Sequence, residues 1–321
     1  MDKQLEQLQS LIGKPVQVDV PLAKYTTFKI GGLAKYFFVA SDNEDLVRAV
    51  TFAKKLKIPS YILGGASNVL VSDQGFNGLI IINQAKDILF KKDNRVVADA
   101  GVNFMEVVNK TVAEGLNGLE WAAGIPGTVG GAIRGNAGAY GGQMSDNLIG
   151  VEVMRGSKQF ILNKKNCGFG YRDSIFKHNN DVIISAEFEL QKGDKVALQN
   201  KIKQILTERK LKQPLEFPSA GSIFTNVFIT NQNQDAVNKL NNLPPEYLEY
   251  KKIPAAWLIE QLDLKGKTIG GAQISDKHAN FIINLGKATA NDVIQLISLV
   301  KMKVRNTYGI ELMEEIEYVG F

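Results

Sequence analysis

Apolar positions along the chain fall into two spacings that alternate. Tyr36–Ala40 is an unbroken apolar and aromatic run, as a buried strand would be. Ser41 and Glu44 then stand in the Ser-x-x-Glu spacing of a capping box. Behind them Leu46, Val47, Ala49, Val50, Ala53 and Leu56 keep the helical period until Pro59. Tyr61–Leu63 predicts a strand, and Val69–Val71, Leu79–Ile82, Ile88–Phe90 and Arg95–Ala98 predict further short ones. Asn103 and Glu106 cap a second helix, with Phe104, Val107, Val108 and Val112 on one face and Gly115 at its end. Strand signals return at Val151–Met154, Gln159–Leu162 and Val182–Leu190.

A different region begins near Lys195. Val196 to Lys212 predicts a long basic helix with Ile202, Ile205 and Leu206 on one face, broken by Pro214 and Pro218. Asn231–Asn242 is polar and Asn-rich, an exposed loop or short helix. Asn291–Tyr308 predicts a helix with Val293, Leu296, Ile297, Val300 and Val304 in register and Gly309 as its stop. The acidic tail Glu311–Val319 is strand-like. No internal repeat is present. The pattern divides the chain at the Lys192-Gly193-Asp194 turn, into residues 1–192, themselves two subdomains at about 20–90 and 91–192, and residues 193–321.

Composition narrows the chemistry. The 321 residues include one Cys (Cys167) and two His (His178 and His278). One thiol cannot close an intramolecular disulfide, and so few soft ligands argue against a structural zinc site. Acid–base work therefore falls to carboxylates, Lys, Tyr or Ser. The net charge of +5 mildly favours an anionic partner, although on charge alone a slightly basic soluble protein is the simpler reading. No apolar run reaches the ~18–20 residues of a bilayer span, and no signal-peptide core follows the polar start, so a cytoplasmic protein is expected. Aromatic and basic residues are not interleaved as in nucleic-acid binders.

Five motifs remain. Gly64-Gly65-Ala66-Ser67-Asn68 follows a strand and is suited either to a tight turn or to a phosphate. Between Gly124 and Gly142 there are eight glycines in nineteen residues, interleaved with Ile125, Val129, Ile133 and Tyr140. So many glycines cost backbone entropy, and close approach to a diphosphate or planar ring would offset it; a linker would be Ser- and Lys-rich instead. Phe169-Gly170-Tyr171-Arg172-Asp173-Ser174 sets an Arg beside an aromatic, either as a bidentate clamp for a carboxylate or as a solvated strand end. Pro218-Ser219-Ala220-Gly221-Ser222-Ile223-Phe224 holds Ser222 on a turn but lacks the pattern of a Ser-His-Asp hydrolase. The tail carries Glu311, Glu314, Glu315 and Glu317, and the pattern alone selects none of them. His278 reads as a packed or capping side chain and Cys167 as an inert thiol.

In this order the motifs resemble the UDP-N-acetylenolpyruvoylglucosamine reductase family of flavoenzymes. The resemblance runs from Tyr25-Thr26-Thr27-Phe28-Lys29-Ile30-Gly31-Gly32 to Glu315-Ile316. Its specific parts are Leu63–Asn68, Ala123–Gly131, Asn136–Gly141, Gly170–Ser174 and Gly221–Phe224. It implies an α+β chain: an FAD-binding fold of the vanillyl-alcohol-oxidase type in two subdomains, and a C-terminal α+β substrate domain. It implies that Gly64, Gly65, Ala66, Ser67 and Asn68 hold FAD together with Gly124, Ile125, Pro126, Gly127, Thr128, Gly130, Gly131 and Ala132. Asn136, Ala137, Gly138 and Tyr171 would lie near the flavin.

By the same resemblance, Arg172, Ser222 and Glu315 are catalytic, and Lys212 and Asn226 take the UDP diphosphate. Hydride from NADPH would reach the enolpyruvyl group by way of the flavin, without a metal. Charge built on the neighbouring carbon would be held by Arg172 and Glu315, and Ser222 would protonate that carbon. The resemblance further implies a monomer working on a UDP-sugar in peptidoglycan synthesis, with neither nucleic acid nor membrane as partner. Between Asp181 and Lys212 there is no counterpart of the loop with a substrate-clamping Tyr that one subgroup has. Thr225–Ala256 is longer than the usual connection of the other, and Tyr247 and Tyr250 lie within it. The alternative is another FAD-dependent oxidoreductase with the same flavin fold and a different substrate.

Overall fold

The computed structural model describes residues 2–240 and 242–321. The chain forms two compact units that are not consecutive stretches. The first comprises the chain up to Val20, Ala34–Gly65 and Phe76–Leu211; the second comprises Pro21–Leu33, Ala66–Gly75 and Lys212–Phe321.

The first unit holds two sheets. In one, Leu33–Ala40 and Ser60–Leu63 flank Phe76–Asn83, both pairings parallel, and Gln17–Pro21 adds an edge. Leu79 to Asn83 is buried at every position, as a central parallel strand covered on both faces must be. Helix Asn43–Lys55 makes the crossover between the flanking strands. With helix Lys3–Ile12 it buries Leu8, Ile12, Leu46, Ala49 and Ala53 against Tyr36, Phe38, Leu79 and Ile81.

The crossover helix starts one residue later than Ser41 and Glu44 predict. Asp42 is its cap, accepting the Asp45 N–H at 2.8 Å. Ser41 is drawn instead into a charge cluster. Its hydroxyl donates to the Asp45 carboxylate at 2.7 Å, which also binds Lys14 and Arg48. Burial opposes charge on Asp45, yet these donors outweigh it and hold the carboxyl well below the usual carboxylate range. The folded value lies below the unfolded one of about 3.9. The cluster's stabilisation is therefore complete above that pH and is lost as pH falls toward the folded value. Asp45→Asn should lower stability at pH 7 by about 1–3 kcal/mol and flatten the acid limb. Urea midpoints measured from pH 7 to pH 3 would check this, and an unchanged acid limb would refute it.

The second sheet is antiparallel, in the order Lys158–Asn163, Leu148–Arg155, Val182–Glu189, Arg95–Asp99, Ile88–Phe90. Alternate residues Val96 and Ala98, Val151 and Val153, Ala186 and Phe188 face one core. Helices Phe104–Ala113, Val129–Arg134 and Lys195–Lys212 cover it. The long basic helix presents Leu198, Ile202 and Ile205 to this core, while Leu206, predicted on that face, is 39% exposed. Lys201 from the same helix neutralises the buried Glu120 at 2.7 Å.

In the second unit, the strand order is Ser219–Ser222, Phe281–Asn284, Ala272–Ile274, Thr268–Ile269, all antiparallel. Helix Ala290–Tyr308 buries Val293, Leu296, Ile297, Val300 and Val304 in this core, and Gly309 ends it at φ +72°. Thr289 and Asp292 form its capping box. The Asp73 carboxylate adds two more acceptors, for Ala290 N–H at 2.8 Å and Asn291 N–H at 3.1 Å. Phe28, Ile30 and Leu70, from the two early segments, lie in the same core. The tail is strand only at Glu317–Val319, which pairs parallel with Val69–Val71. Ahead of it the chain makes one isolated bridge, Phe224 to Glu314, instead of the continuous strand predicted. The Asn-rich stretch forms a short helix at Gln234–Val237.

Candidate active site

In the first unit the first two glycine motifs meet backbone to backbone. A Cβ on Gly65 would stand 2.5 Å from the Gly127 Cα, and one on Gly64 would stand 2.2 Å from the Thr128 Oγ1. No side chain larger than hydrogen is compatible with that approach. Thr128 caps helix Val129–Arg134 and accepts from Gly131 N–H at 3.4 Å. The amides of Gly130 and Ala132 are used within the fold, on the Ala100 and Thr128 carbonyls. Ile125 N–H bonds back to Ala122.

Arg209, from the long helix, backs this loop. Its Nε lies 2.9 Å from where a Gly124 Cβ would be. Burial weakens its hold on its proton, countered by Tyr140. Its Nε is buried without a hydrogen-bond partner among the described residues. A guanidinium with a buried, unsatisfied donor beside a glycine loop suits an anionic group such as a diphosphate. Sequence reasoning missed it. The only signal is that Arg209 is the single Arg of a helix otherwise charged by Lys and one Glu.

The third motif is tied to the same loop. Asn136, 2% exposed and at φ +40°, donates to the Gly170 carbonyl at 2.8 Å and accepts from Ser145 N–H at 3.1 Å. The fully buried Ser174 donates to the Arg134 carbonyl at 2.6 Å. Between these anchors Arg172 adopts φ +56°. Its Nη2 donates to the Gly138 carbonyl at 2.7 Å, and its guanidinium carbon lies 5.5 Å from the Tyr171 ring centre. A non-glycine residue in that conformation is strained by about 1–3 kcal/mol, so the flanking anchors must hold it.

The second unit brings Ser222 and Glu315 together. The Glu315 N–H donates to the Ile223 carbonyl at 2.7 Å, and Thr225 N–H donates to the Met313 carbonyl at 2.9 Å. The glutamates of the tail are therefore not equivalent: Glu314 pairs with Lys301 at 2.8 Å, whereas Glu315 is fixed through its backbone to the serine strand. Asn68 reinforces this, its side chain donating to the Glu315 carbonyl at 3.0 Å and its carbonyl accepting Glu317 N–H at 2.9 Å. Ala66, at φ +45°, accepts Thr27 N–H, and Thr27 Oγ1 donates to the Ser219 carbonyl at 2.7 Å. Ser67 lies between Ala66 and Asn68. Lys212 is the last residue of the long helix, and Asn226 Oδ1 accepts Ala255 N–H at 3.3 Å. Tyr247 packs edge-on against Trp257, and Tyr250 is 70% exposed. Cys167 is fully buried, which pushes its thiol up to about 11. His278 packs edge-on against Phe281. No helix among the described residues is long and apolar enough to cross a membrane.

Two family models match the chain. Residues 34–158 match the FAD binding domain model, and residues 213–319 match that of the UDP-N-acetylenolpyruvoylglucosamine reductase C-terminal domain. The reductase so named from Clostridium novyi is 37% identical over 98% of this chain and 96% of its own. That of Solibacter usitatus is 39% identical over 95% of this chain and 97% of its own. The chain belongs to the UDP-N-acetylenolpyruvoylglucosamine reductase family.

The crystal structure of the family's Thermus caldophilus reductase superposes with a TM-score of 0.75 at 31% identity, covering 95% of this chain and 99% of that one. The chain is accordingly a flavin-dependent reductase, with FAD as cofactor and the FAD-binding fold of the vanillyl-alcohol-oxidase type. The Gly64–Gly65 approach to Gly127 and the unsatisfied Arg209 donor fit the cofactor's diphosphate. Gly65→Ala should force the two loops apart. The purified variant should come off colourless and bind added FAD at least about 10-fold more weakly, the equivalent of 1.4 kcal/mol. A fluorescence titration with FAD would check this, and wild-type affinity would refute the cradle.

Proposed function

We propose that this reductase reduces the enolpyruvyl double bond of UDP-N-acetylenolpyruvoylglucosamine, giving UDP-N-acetylmuramate for peptidoglycan precursors, with NADPH as hydride donor. The observation that carries the reading is the 2.7 Å bond from Glu315 N–H to Ile223, which sets a carboxylic acid beside the Ser222 strand inside the family's C-terminal domain. Bound FAD supplies the two-electron carrier between nicotinamide and substrate.

Every other task falls to side chains. Ser222 gives its proton to the substrate carbon next to the carboxylate. A hydroxyl is a weak acid in water, but an enolate-like carbon is a strong base, so a positioned serine suffices. Arg172 holds the substrate carboxylate, and Glu315 stabilises the charge that spreads into it. Lys212 and Asn226 take the UDP diphosphate. A UDP-sugar and a reduced nicotinamide cofactor as reactants support a cytoplasmic site of action.

Anaerobic half-reactions test the reading. The yellow protein should bleach with NADPH and regain colour on addition of the enolpyruvyl nucleotide. Failure of that nucleotide to restore the colour would refute the substrate, and bleaching by NADH alone would refute the donor.

A further inference from the structure

The serine strand has two edges, and only one of them is accounted for by Glu315. On the other edge stands Asn280, 4% exposed, immediately before the strand Phe281–Asn284. Its carbonyl accepts Ile223 N–H at 2.8 Å. Its side-chain amide donates to the Phe224 carbonyl at 2.8 Å, and its side-chain oxygen accepts Phe224 N–H at 2.9 Å. The carboxamide thus does what a neighbouring peptide group would do, at the point where the regular pairing of Ser222 with Phe281 ends. The loop behind it is itself braced. Asn280 N–H donates to His278 Nδ1 at 3.3 Å, and His278 packs edge-on against Phe281 with ring centres 4.8 Å apart.

We propose that Asn280 is a positioning residue for the proton-transfer step. It sets where Ser222 stands and, through the Ile223 carbonyl, where Glu315 stands. Both reacting groups are carried on backbone held between Asn280 on one side and the 313–315 segment on the other. Only a side chain with donor and acceptor at this length satisfies both Phe224 groups. An Asp of the same shape keeps the Phe224 N–H but sets an oxygen against the Phe224 carbonyl. The inference rests on the proposed reductase reading, in which Ser222 is the proton donor.

The test uses the flavin-loaded full chain. In Asn280→Asp, reduction of the flavin by NADPH should proceed at the wild-type rate. Reoxidation by the enolpyruvyl nucleotide should be about 10–100-fold slower, as for a small misplacement of a reacting group. Its solvent deuterium isotope effect should rise. Peptide-resolved hydrogen exchange should show faster exchange in both 222–226 and 313–316. In a Ser222→Ala background the Asn280→Asp slowing should shrink to the part that acts through Glu315, because one of the two positioned groups is gone. Equal slowing of both half-reactions, or full additivity with Ser222→Ala, would overturn the proposal. If Asn280→Asp does not fold, Asn280→Ser is measured in the same way with the same expected split. A wild-type enzyme that the nucleotide cannot reoxidise would overturn the reductase reading instead.

Discussion

Ser222→Ala should be reduced by NADPH at the wild-type rate and reoxidised by the enolpyruvyl nucleotide about 10²–10⁴-fold more slowly, the span that general acid catalysis supplies. The asymmetry is the informative part. The substitution deletes one hydroxyl from a residue whose backbone is held by the Phe281 pairing and, one residue on, by Asn280 and Glu315. The strand therefore stays where it is, and flavin binding is untouched. What is lost is the proton for the substrate carbon. Water can deliver it only from an unpositioned state, which is why the loss should be large. Stopped-flow absorbance of the flavin separates the two steps. Equal slowing of both would refute the role of Ser222.

Arg172→Lys should cost nearly as much, about 10²–10³-fold in turnover, the range for removing a preorganised donor to developing charge. The swap preserves the charge and changes its shape. A guanidinium can bond the Gly138 carbonyl through Nη2, lie against Tyr171, and still offer a fork to a carboxylate. An ammonium is a single point with three donors and cannot do all of these at once. Both residues incur the same penalty at φ +56°, so thermal stability should change little while turnover collapses. Steady-state kinetics beside a melting curve tests this, and near-normal turnover would refute the assignment.

Much of the fold was legible because its apolar periods are clean. Leu79–Ile82 announces a strand, which the fold covers on both faces, and Val293 to Val304 announces a one-sided helix with Gly309 at its end. Legibility failed where tertiary partners override a local rule. Ser41 looks like a helix cap but is claimed by the Asp45 cluster, which owes its Lys14 to another helix's end. The tail alternates like a strand, yet only Glu317–Val319 finds a partner strand, in Val69–Val71. Of the site, the glycine runs and Ser222 stood out as local motifs. The proposed choice of Glu315 over Glu314 did not, since its support is a bond to Ile223 and Lys301 occupying its neighbour. Arg209 and Asn280 were silent for the same reason, because each matters only through what a distant segment places beside it.

The interleaving of the two units has a consequence for synthesis. Pro21–Leu33 and Ala66–Gly75 leave the ribosome early, but the core they belong to is made of Ser219–Ser222, Phe281–Asn284 and Ala290–Tyr308. Phe28, Ile30 and Leu70 must stay unsheltered on the nascent chain until nearly all of the protein has been made. Such long-delayed contacts slow folding and leave apolar surface open to aggregation. A fragment cut at Lys212 would lack three core side chains and the Asp73 clasp on its longest helix. The second unit is thus completed last, and only by chain segments that were waiting for it from the start.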